Sequence, residues 1–464
     1  MPDVTQEAAL PETLIEEMEA FRKAYPDVTQ IDALIPDACG VLRGKKIPID
    51  GLPKLYRNGV TFPGSLFATD ITGSTVEETG LGFDDGDADR DCFPVPGTLD
   101  PIPWLPRPTG QVLLNMVDHD GSPFFADPRT VLANVIQRLK DDGLRPVVAI
   151  ELEFYLIDRE RDAMGAPRPP VSPVSGKRQN TTQVYGIDEL YDFEALLHDI
   201  SDTCKVQRIP VDSAVSEYAP GQYEINLHHV DDPMDACDDA LLFKRVVKGV
   251  AQNHGVEATF MAKPYPELAG SGFHIHMSIL DRDGKNIFSS DNPEGSDALR
   301  HAIGGLSETM AESMAVFAQN QNAFRRFQAN TYAPHAPTWA VNNRSSSLRI
   351  PPSGPKDRRV EHRVAGADAN PYLVMAAVLA GAHHGLTNKI DPGPAITGNA
   401  YQKVESTLTS SWLVALDLLN ESKVLEEYFG RRYLDVYLEL KWAERDKFFS
   451  MITPLEYDWY LSKV

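Results

Sequence analysis

Cysteine is scarce. Cys39, Cys92, Cys204 and Cys237 are the only four in 464 residues, and their spacing fits neither a disulfide framework nor a zinc site. They read as reduced thiols of a cytoplasmic protein. Long apolar runs are missing as well. The most apolar helical stretch, residues 371–381, is too short to cross a bilayer. The start, Met1-Pro2-Asp3-Val4, is acidic and polar, so no signal peptide is expected. Positive charge is in deficit: 44 Lys and Arg stand against 67 Asp and Glu, a net charge of -23 that argues against nucleic acid or an anionic membrane as partner. No Gly-x-x-x-x-Gly-Lys-Ser/Thr loop occurs, and there is no internal repeat or low-complexity tract. With 42% hydrophobic and 24% charged residues, the composition is that of a globular protein, and the length suggests two domains.

Against this background four short stretches share one design. In Val147–Leu156, the residues Val148, Ile150, Leu152, Phe154 and Leu156 alternate along one strand face. The other face carries Glu151 and Glu153, about 6.6 Å apart along a strand. In Gly270–Ile279, Phe273, Ile275, Met277 and Ile279 alternate against His274, His276 and Ser278. In Gly221–Leu227, Glu224 alternates against Tyr223, Ile225 and Leu227, with Glu217 just before the turn. In Arg359–Val364, one face is Arg359, Glu361 and Arg363. Any one of these is explained by an edge strand with a solvated polar face. Four facing a common cavity would make an oxygen-rich site for divalent cations, because buried like charges need neutralising cations.

The chain divides by pattern into an N-terminal helix (residues 1–26), a small β-rich unit (27–115) and a larger unit (116–464). The fold class is α+β, with a sheet and surrounding helices in the larger unit. Helices are predicted over residues 11–25, 127–143, 191–207, 232–254, 295–320, 371–388 and 411–451. Residues 264–279 read as sheet, and residues 159–190 and 322–357 as long loops. The acidic run Asp84–Asp91 lacks calcium-loop spacing, since Leu81 would occupy the first ligand position before Gly86.

Five carboxylates and one imidazole (Glu151, Glu153, Glu217, Glu224, Glu361 and His274) suit Mg²⁺ or Mn²⁺ better than zinc, and suffice for two or three ions. Beside them runs a cationic series: Arg325, Arg326, Arg344, Arg349, Lys356, Arg358, Arg359 and Arg363. Surface ion pairing accounts for Arg325 and Arg358. For the series as a whole, metals plus arginines point to phosphate chemistry outside the P-loop class.

From about residue 27 to the C-terminus the chain resembles the glutamine synthetase family of the bacterial class I type. The resemblance rests on Glu151-Leu152-Glu153-Phe154, Glu217 to Glu224 with Gly221-Gln222, Lys263-Pro264, Gly270-Ser271-Gly272-Phe273-His274-Ile275-His276-Met277-Ser278, Asn343-Arg344-Ser345 through Arg349-Ile350-Pro351, Glu361-His362-Arg363 and Asn370-Pro371-Tyr372-Leu373. It implies a β-grasp-like N-terminal domain and a partial barrel of curved antiparallel sheet. It also implies hexamers or dodecamers with active sites between subunits, and a reaction in which ATP phosphorylates the γ-carboxylate of glutamate before an amine displaces phosphate. Glu153, Glu217 and Glu224 resemble the ligands of the metal at glutamate, and Glu151, His274 and Glu361 those of the metal at the ATP phosphates. Arg326 and Arg363, with Gly270 and Glu153, fall where the family holds glutamate. Arg344, Arg349 and Arg359 fall at phosphate-binding positions, with His276, Ser278 and Lys356 beside the nucleotide.

The departures bear on the amine. Glutamine synthetases carry a flap glutamate in Gly-Tyr-Glu-Ala-Pro, and this sequence has Asn330-Thr331-Tyr332-Ala333-Pro334, with Tyr332 in place of the carboxylate. The aspartate of Phe-Asp-Gly-Ser-Ser is met by Asp70, with two extra residues before the glycine. The asparagine preceding Gly-Ser-Gly is Ala269, which touches one glutamate contact. These changes resemble the γ-glutamylpolyamine and γ-glutamylamide synthetase branch, and a neutral aromatic edge suits an organic amine better than ammonium. A glutamine synthetase using ammonia and a catalytically silent relative are the alternatives. Tyr401 falls near a tyrosine that is adenylylated in some members, but Gln402-Lys403-Val404 lack that site's Asp-Leu-Pro, so it reads as structural.

Overall fold

A computed structural model describes residues 11–328 and 331–464; Met1-Pro2-Asp3-Val4 and Asn330 lie outside the described residues. The Glu12–Ala24 helix buries Met18 and Phe21, as its apolar spacing predicts. Six strands follow: β1 (Gln30–Pro36), β2 (Leu42–Pro48), β3 (Val60–Pro63), β4 (Asp89–Pro94), β5 (Asp100–Pro101) and β6 (Thr109–Met116). They pair in the order β2-β1-β6-β4-β3, with β5 alongside β6, and only β1 and β6 run parallel.

The second sheet has eight strands: β7 (Arg145–Ile157), β8 (Val211–Ser216), β9 (Gln222–Leu227), β10 (Glu257–Thr259), β11 (Phe273–Leu280), β12 (Trp339–Val341), β13 (Leu348–Ile350) and β14 (Val360–His362). Their order is β12-β13-β14-β11-β7-β9-β8, with β10 on the far end of β7, and the sheet curls into half a barrel. Every pairing in it is antiparallel except β12 with β13. The apolar face of β7 is buried, with Phe154 packed among Tyr223, Phe243 and Phe260 at ring separations of 5.6–6.4 Å. Helices Pro128–Asp141 and Pro233–Asn253 cover that face and Pro371–Asn388 packs against both, each opened by a side-chain cap followed by proline.

The Pro371–Asn388 helix is buried almost throughout and lies against the Asp297–Glu308 helix. The two backbones touch where Gly305 meets Gly381 and Gly385, leaving no room for a Cβ. Its cap, Asn370, accepts from the amides of Tyr372 (3.0 Å) and Leu373 (3.4 Å), while its own amide donates to the carbonyls of Asp37 (3.1 Å) and Ala38 (3.3 Å) in the β1–β2 turn. Gln319 does likewise, donating to the Cys39 (3.2 Å) and Asp368 (2.8 Å) carbonyls. Two sheets are thus joined through side-chain amides at one turn.

Several expectations needed correction. The predicted 295–320 helix ends at Glu308 and resumes only as Met314–Phe317. The hydroxyls of Thr309 and Ser313 donate back to the carbonyls of Gly305 and Thr309 (2.9 Å each), a competition that polar β-carbons bring to helices. Residues 411–451 form three helices, not one: Trp412–Glu421, Lys423–Phe429 and Arg431–Ser450, broken at the capping Ser422 and at Gly430, whose φ is +83°. Sheet resumes at Phe273 after the short β10, and the 322–357 stretch contains β12 and β13. All four cysteines are buried and unbridged, and no described helix is long and apolar enough to cross a membrane.

The close contact of glycines sets a test. Gly385→Ala should overpack the helix pair and cost about 1–3 kcal/mol, seen as a lower urea midpoint at unchanged slope. An unchanged midpoint would show that the helices separate without penalty.

Candidate active site

Strand register assembles the site. Across β7 and β11, Glu151 lies opposite His274; across β7 and β9, Glu153 lies opposite Glu224. Across β11 and β14, His276 lies opposite Glu361, which also faces Arg349 on β13. Directly opposed side chains on one face sit about 5 Å apart at Cβ, so these pairs meet without any loop to bring them together. Glu217 follows β8 immediately, its amide bonded to the Gln222 carbonyl at 2.9 Å.

Three groups of donors result, the ligand atoms of each lying within 4.8 Å of one another: Glu153–Glu217–Glu224, Glu151–Glu224–His274 and Glu151–His276–Glu361. The first is the trio expected from the resemblance. The expected Glu151–His274–Glu361 trio does not form as one group. His276 takes the place beside Glu361, because it is the residue the β11–β14 register sets opposite, and His274 joins Glu224 instead. Glu151 bridges both histidines, at 3.2 Å from His274 Nδ1 and 2.8 Å from His276 Nε2.

The charges are unevenly balanced across this face. Burial works against charge on Glu361, yet Arg363 and the two histidines hold its carboxyl at about 2. Burial likewise opposes the charge on Glu151, and His274 and His276 keep it well below the ordinary carboxylate range. At the other end Arg344 and Arg363 offset burial and carboxylate repulsion only in part. Burial and the neighbouring Glu153 push Glu217 up to about 7, and burial with Glu151, Glu153 and Glu217 raises Glu224 strongly. Hard carboxylate donors that repel one another in a half-buried setting fit divalent cations.

Glu153 is oriented by the Gly272 amide (2.8 Å) and by Gln222 Nε2 (3.2 Å), which also donates to the Gly270 carbonyl (3.1 Å). Gln222 is the positioning residue that the sequence motif contained but did not reveal. Gly270 itself lies under Arg326, where a Cβ would come within 2.6 Å of Cγ. Arg326 donates to the Val364 carbonyl (3.0 Å), Arg349 to Glu361 (2.6 Å), Arg363 to Glu361, and Arg359 Nε to His276 Nδ1 (3.3 Å). The Nε groups of Arg326, Arg349 and Arg363 are buried and have no acceptor among the described residues. Buried guanidinium donors without acceptors are suited to anions.

The remaining candidates lie further out. Arg344 is exposed, its charge felt at Glu217. Ser278 is half-buried on the histidine face of β11, opposite Val147. Lys356 is exposed in the turn before β14. Tyr332 is exposed with φ +57°, next to Ala333, whose carbonyl accepts from the Tyr401 hydroxyl at 2.8 Å. Asp70 is not among the cation donors of its own chain. Its carboxylate accepts from Thr72 and Ser74 and from Lys447 Nζ (2.9 Å); burial resists its charge, but these partners hold it at about 2.

Carboxylates that could hold hard cations, beside arginines with unpaired Nε donors, are a combination suited to phosphate chemistry. Comparison with known proteins narrows this. The family model for the glutamine synthetase catalytic domain matches residues 125–460. The chain is 46% identical over 446 residues to gamma-glutamylputrescine synthetase of Escherichia coli, covering 96% of this chain and 94% of that one. It is 31% identical to a glutamate–isopropylamine ligase of a Pseudomonas species (92% and 93% covered) and 30% identical to gamma-glutamylethanolamide synthetase of Streptomyces coelicolor (97% and 95%). Among solved structures, GmaS in complex with ADP superposes with a TM-score of 0.83 at 27% identity, covering 96% of this chain and 99% of that one. The chain belongs to the glutamine synthetase family.

Two measurements test the site. Gln222→Ala should weaken Mg²⁺ binding about 10–100-fold while leaving the thermal midpoint near wild type; unchanged affinity would deny Gln222 its role. Cation binding must also expel the proton that Glu217 holds below pH 7. Affinity measured by calorimetry should therefore be about tenfold weaker at pH 6 than at pH 8, and equal affinities would contradict the charge balance described.

Proposed function

We propose that the chain joins L-glutamate to an organic amine, with ATP as phosphoryl donor and γ-glutamyl phosphate as intermediate. The observation that carries this reading is the meeting of three cation-donor groups with Arg326, Arg349 and Arg363, whose buried Nε groups lack acceptors among the described residues. Glu153, Glu217 and Glu224 would hold one cation near the glutamate carboxylate. Glu151 with His274, His276 and Glu361 would hold one or two more near the nucleotide, Mg²⁺ or Mn²⁺ in each case. Such cations, when bound, neutralise the negative charge that gathers on the transferred phosphoryl group.

The chain's own residues do the rest. Arg326, Arg363, Gly270 and Glu153 orient glutamate, and Arg344, Arg349 and Arg359 meet the phosphates, with Ser278 and Lys356 at the nucleotide. Arg344 and Arg363 stabilise the phosphoryl group in transit, since fixed cations aimed at developing charge need no reorganisation. Phosphorylation turns a poor leaving group into a good one, so the amine nitrogen can attack the γ-carbonyl and release phosphate.

Tyr332 places a neutral ring where an ammonia-using site has its carboxylate, which favours an organic amine. The amine ligases among the relatives support the same choice, and the putrescine enzyme's 46% identity favours a polyamine. A homo-oligomer, hexamer or dodecamer, with active sites between subunits is part of the reading. It draws support from the tail, where Phe448, Phe449, Met451, Ile452, Leu455, Trp459 and Leu461 are all exposed. Asp70, held by Lys447, would face a neighbouring subunit's site. Four buried, unbridged thiols favour the cytoplasm.

Phosphate release from ATP, glutamate and Mg²⁺ should rise strongly with diamines or monoamines and little with ammonium. Tyr332→Glu should shift that preference toward ammonium. Ammonium winning in the unaltered enzyme would establish a glutamine synthetase instead. Light scattering should give a mass of six or twelve chains, and a monomer active at the same concentration would sink the shared-site reading.

A further inference from the structure

The ligase reading leaves open how one amine is told from another, and a cavity beside Tyr332 answers it. The cavity, about 390 Å³, is lined by Phe327, His335 and Tyr401 and by residues 402–406. Pockets that hold small ligands begin at about this size. Its aromatic wall is fixed in place. The rings of His335 and Tyr401 stack at 4.7 Å with 26° between planes. The Tyr401 hydroxyl donates to the Ala333 carbonyl (2.8 Å), one residue after Tyr332, and His335 Nε2 lies 3.1 Å from the Val404 carbonyl. The wall also adjoins the glutamate side: the Arg326 guanidinium sits 5.8 Å from the Phe327 ring, and the charges of Arg363 and Arg326 both reach Tyr401.

Two charged side chains line the cavity, Glu405 and Lys403. Neither makes an ion pair among the described residues. The Lys403 stem folds back along Gly398, its Cε within 3.8 Å of where a Gly398 side chain would begin. Glu405 is left as the acidic group of a cavity walled by three aromatic rings. Burial pushes the Tyr401 phenol up to about 12, so its ring stays neutral at working pH.

Aromatic faces plus a carboxylate recognise an alkylammonium: ring quadrupoles attract the cation and the carboxylate supplies its counter-charge. Glu405 is exposed at the rim, and a purely apolar tail would leave its carboxylate without a counter-charge. We propose that this cavity receives the distal ammonium of a linear diamine whose other amino group is the nucleophile, with Glu405 as the specificity-determining residue. The inference rests on the ligase reading and adds to it the cavity and the residue that read the second amino group.

Steady-state phosphate release with 1,4-diaminobutane and 1-aminobutane tests it in the full-length enzyme. Wild type should prefer the diamine in kcat/KM. Glu405→Gln should lower the diamine-to-monoamine ratio about tenfold, through KM for the diamine and with kcat little altered. Lys403→Met, which removes the opposing charge, should move the ratio the other way. A wild type indifferent to the second amino group, or a ratio unmoved in Glu405→Gln, overturns the proposal while leaving the ligase reading intact. Phosphate release that neither amine raises above glutamate and ATP alone overturns the ligase reading and this one with it.

Discussion

Everything at the candidate site depends on the register of β7 against its two neighbours. That register puts Glu151 opposite His274 and Glu153 opposite Glu224, and it buries Ile150, Leu152 and Phe154 in the same stroke. A slip of one residue would exchange the faces, driving two carboxylates into an aromatic core at a cost of several kcal/mol each. The apolar half of the strand therefore fixes the geometry of its polar half. Packing and chemistry are two faces of one pairing.

How much of this was legible in the sequence follows from the same point. Strand alternation is local, so the polar faces carrying Glu151, Glu153, His274, His276 and Glu361 could be read directly. Which of those residues meet could not, because Glu151 and His274 are brought together by pairing between distant segments. The exchange of His274 for His276 beside Glu361 is a matter of register alone. β12 and β13 were hidden for a related reason. They lie in a stretch rich in proline, asparagine and serine, and they are strands because β13 pairs with the edge of β14 and β12 with β13 in turn. The helix interruptions at Thr309, Ser422 and Gly430 were visible as residue types but not as decisions, since each residue also occurs inside helices. Gln222 stood in a recognised motif, and only its hydrogen bonds to Glu153 and Gly270 disclosed its use.

Charge is graded along the face rather than spread over it. Glu151 and Glu361 are compensated by histidines and arginines within the chain, whereas Glu217 and Glu224 press on one another. The end that Arg344 and Arg363 offset only in part is a local departure from the rule that buried charges find partners. Such departures concentrate where a protein acts rather than where it is merely stable.

The amide of Asn370 has a consequence for motion. Its carbonyl starts a helix buried along most of its length, and its NH₂ group holds the β1–β2 turn, with Gln319 fastening the next residue of that turn. If the first sheet swung about this junction, the Asn370 NH₂ group, buried in the chain, would lose both of its acceptors. A hinge between the two sheets is thereby disfavoured.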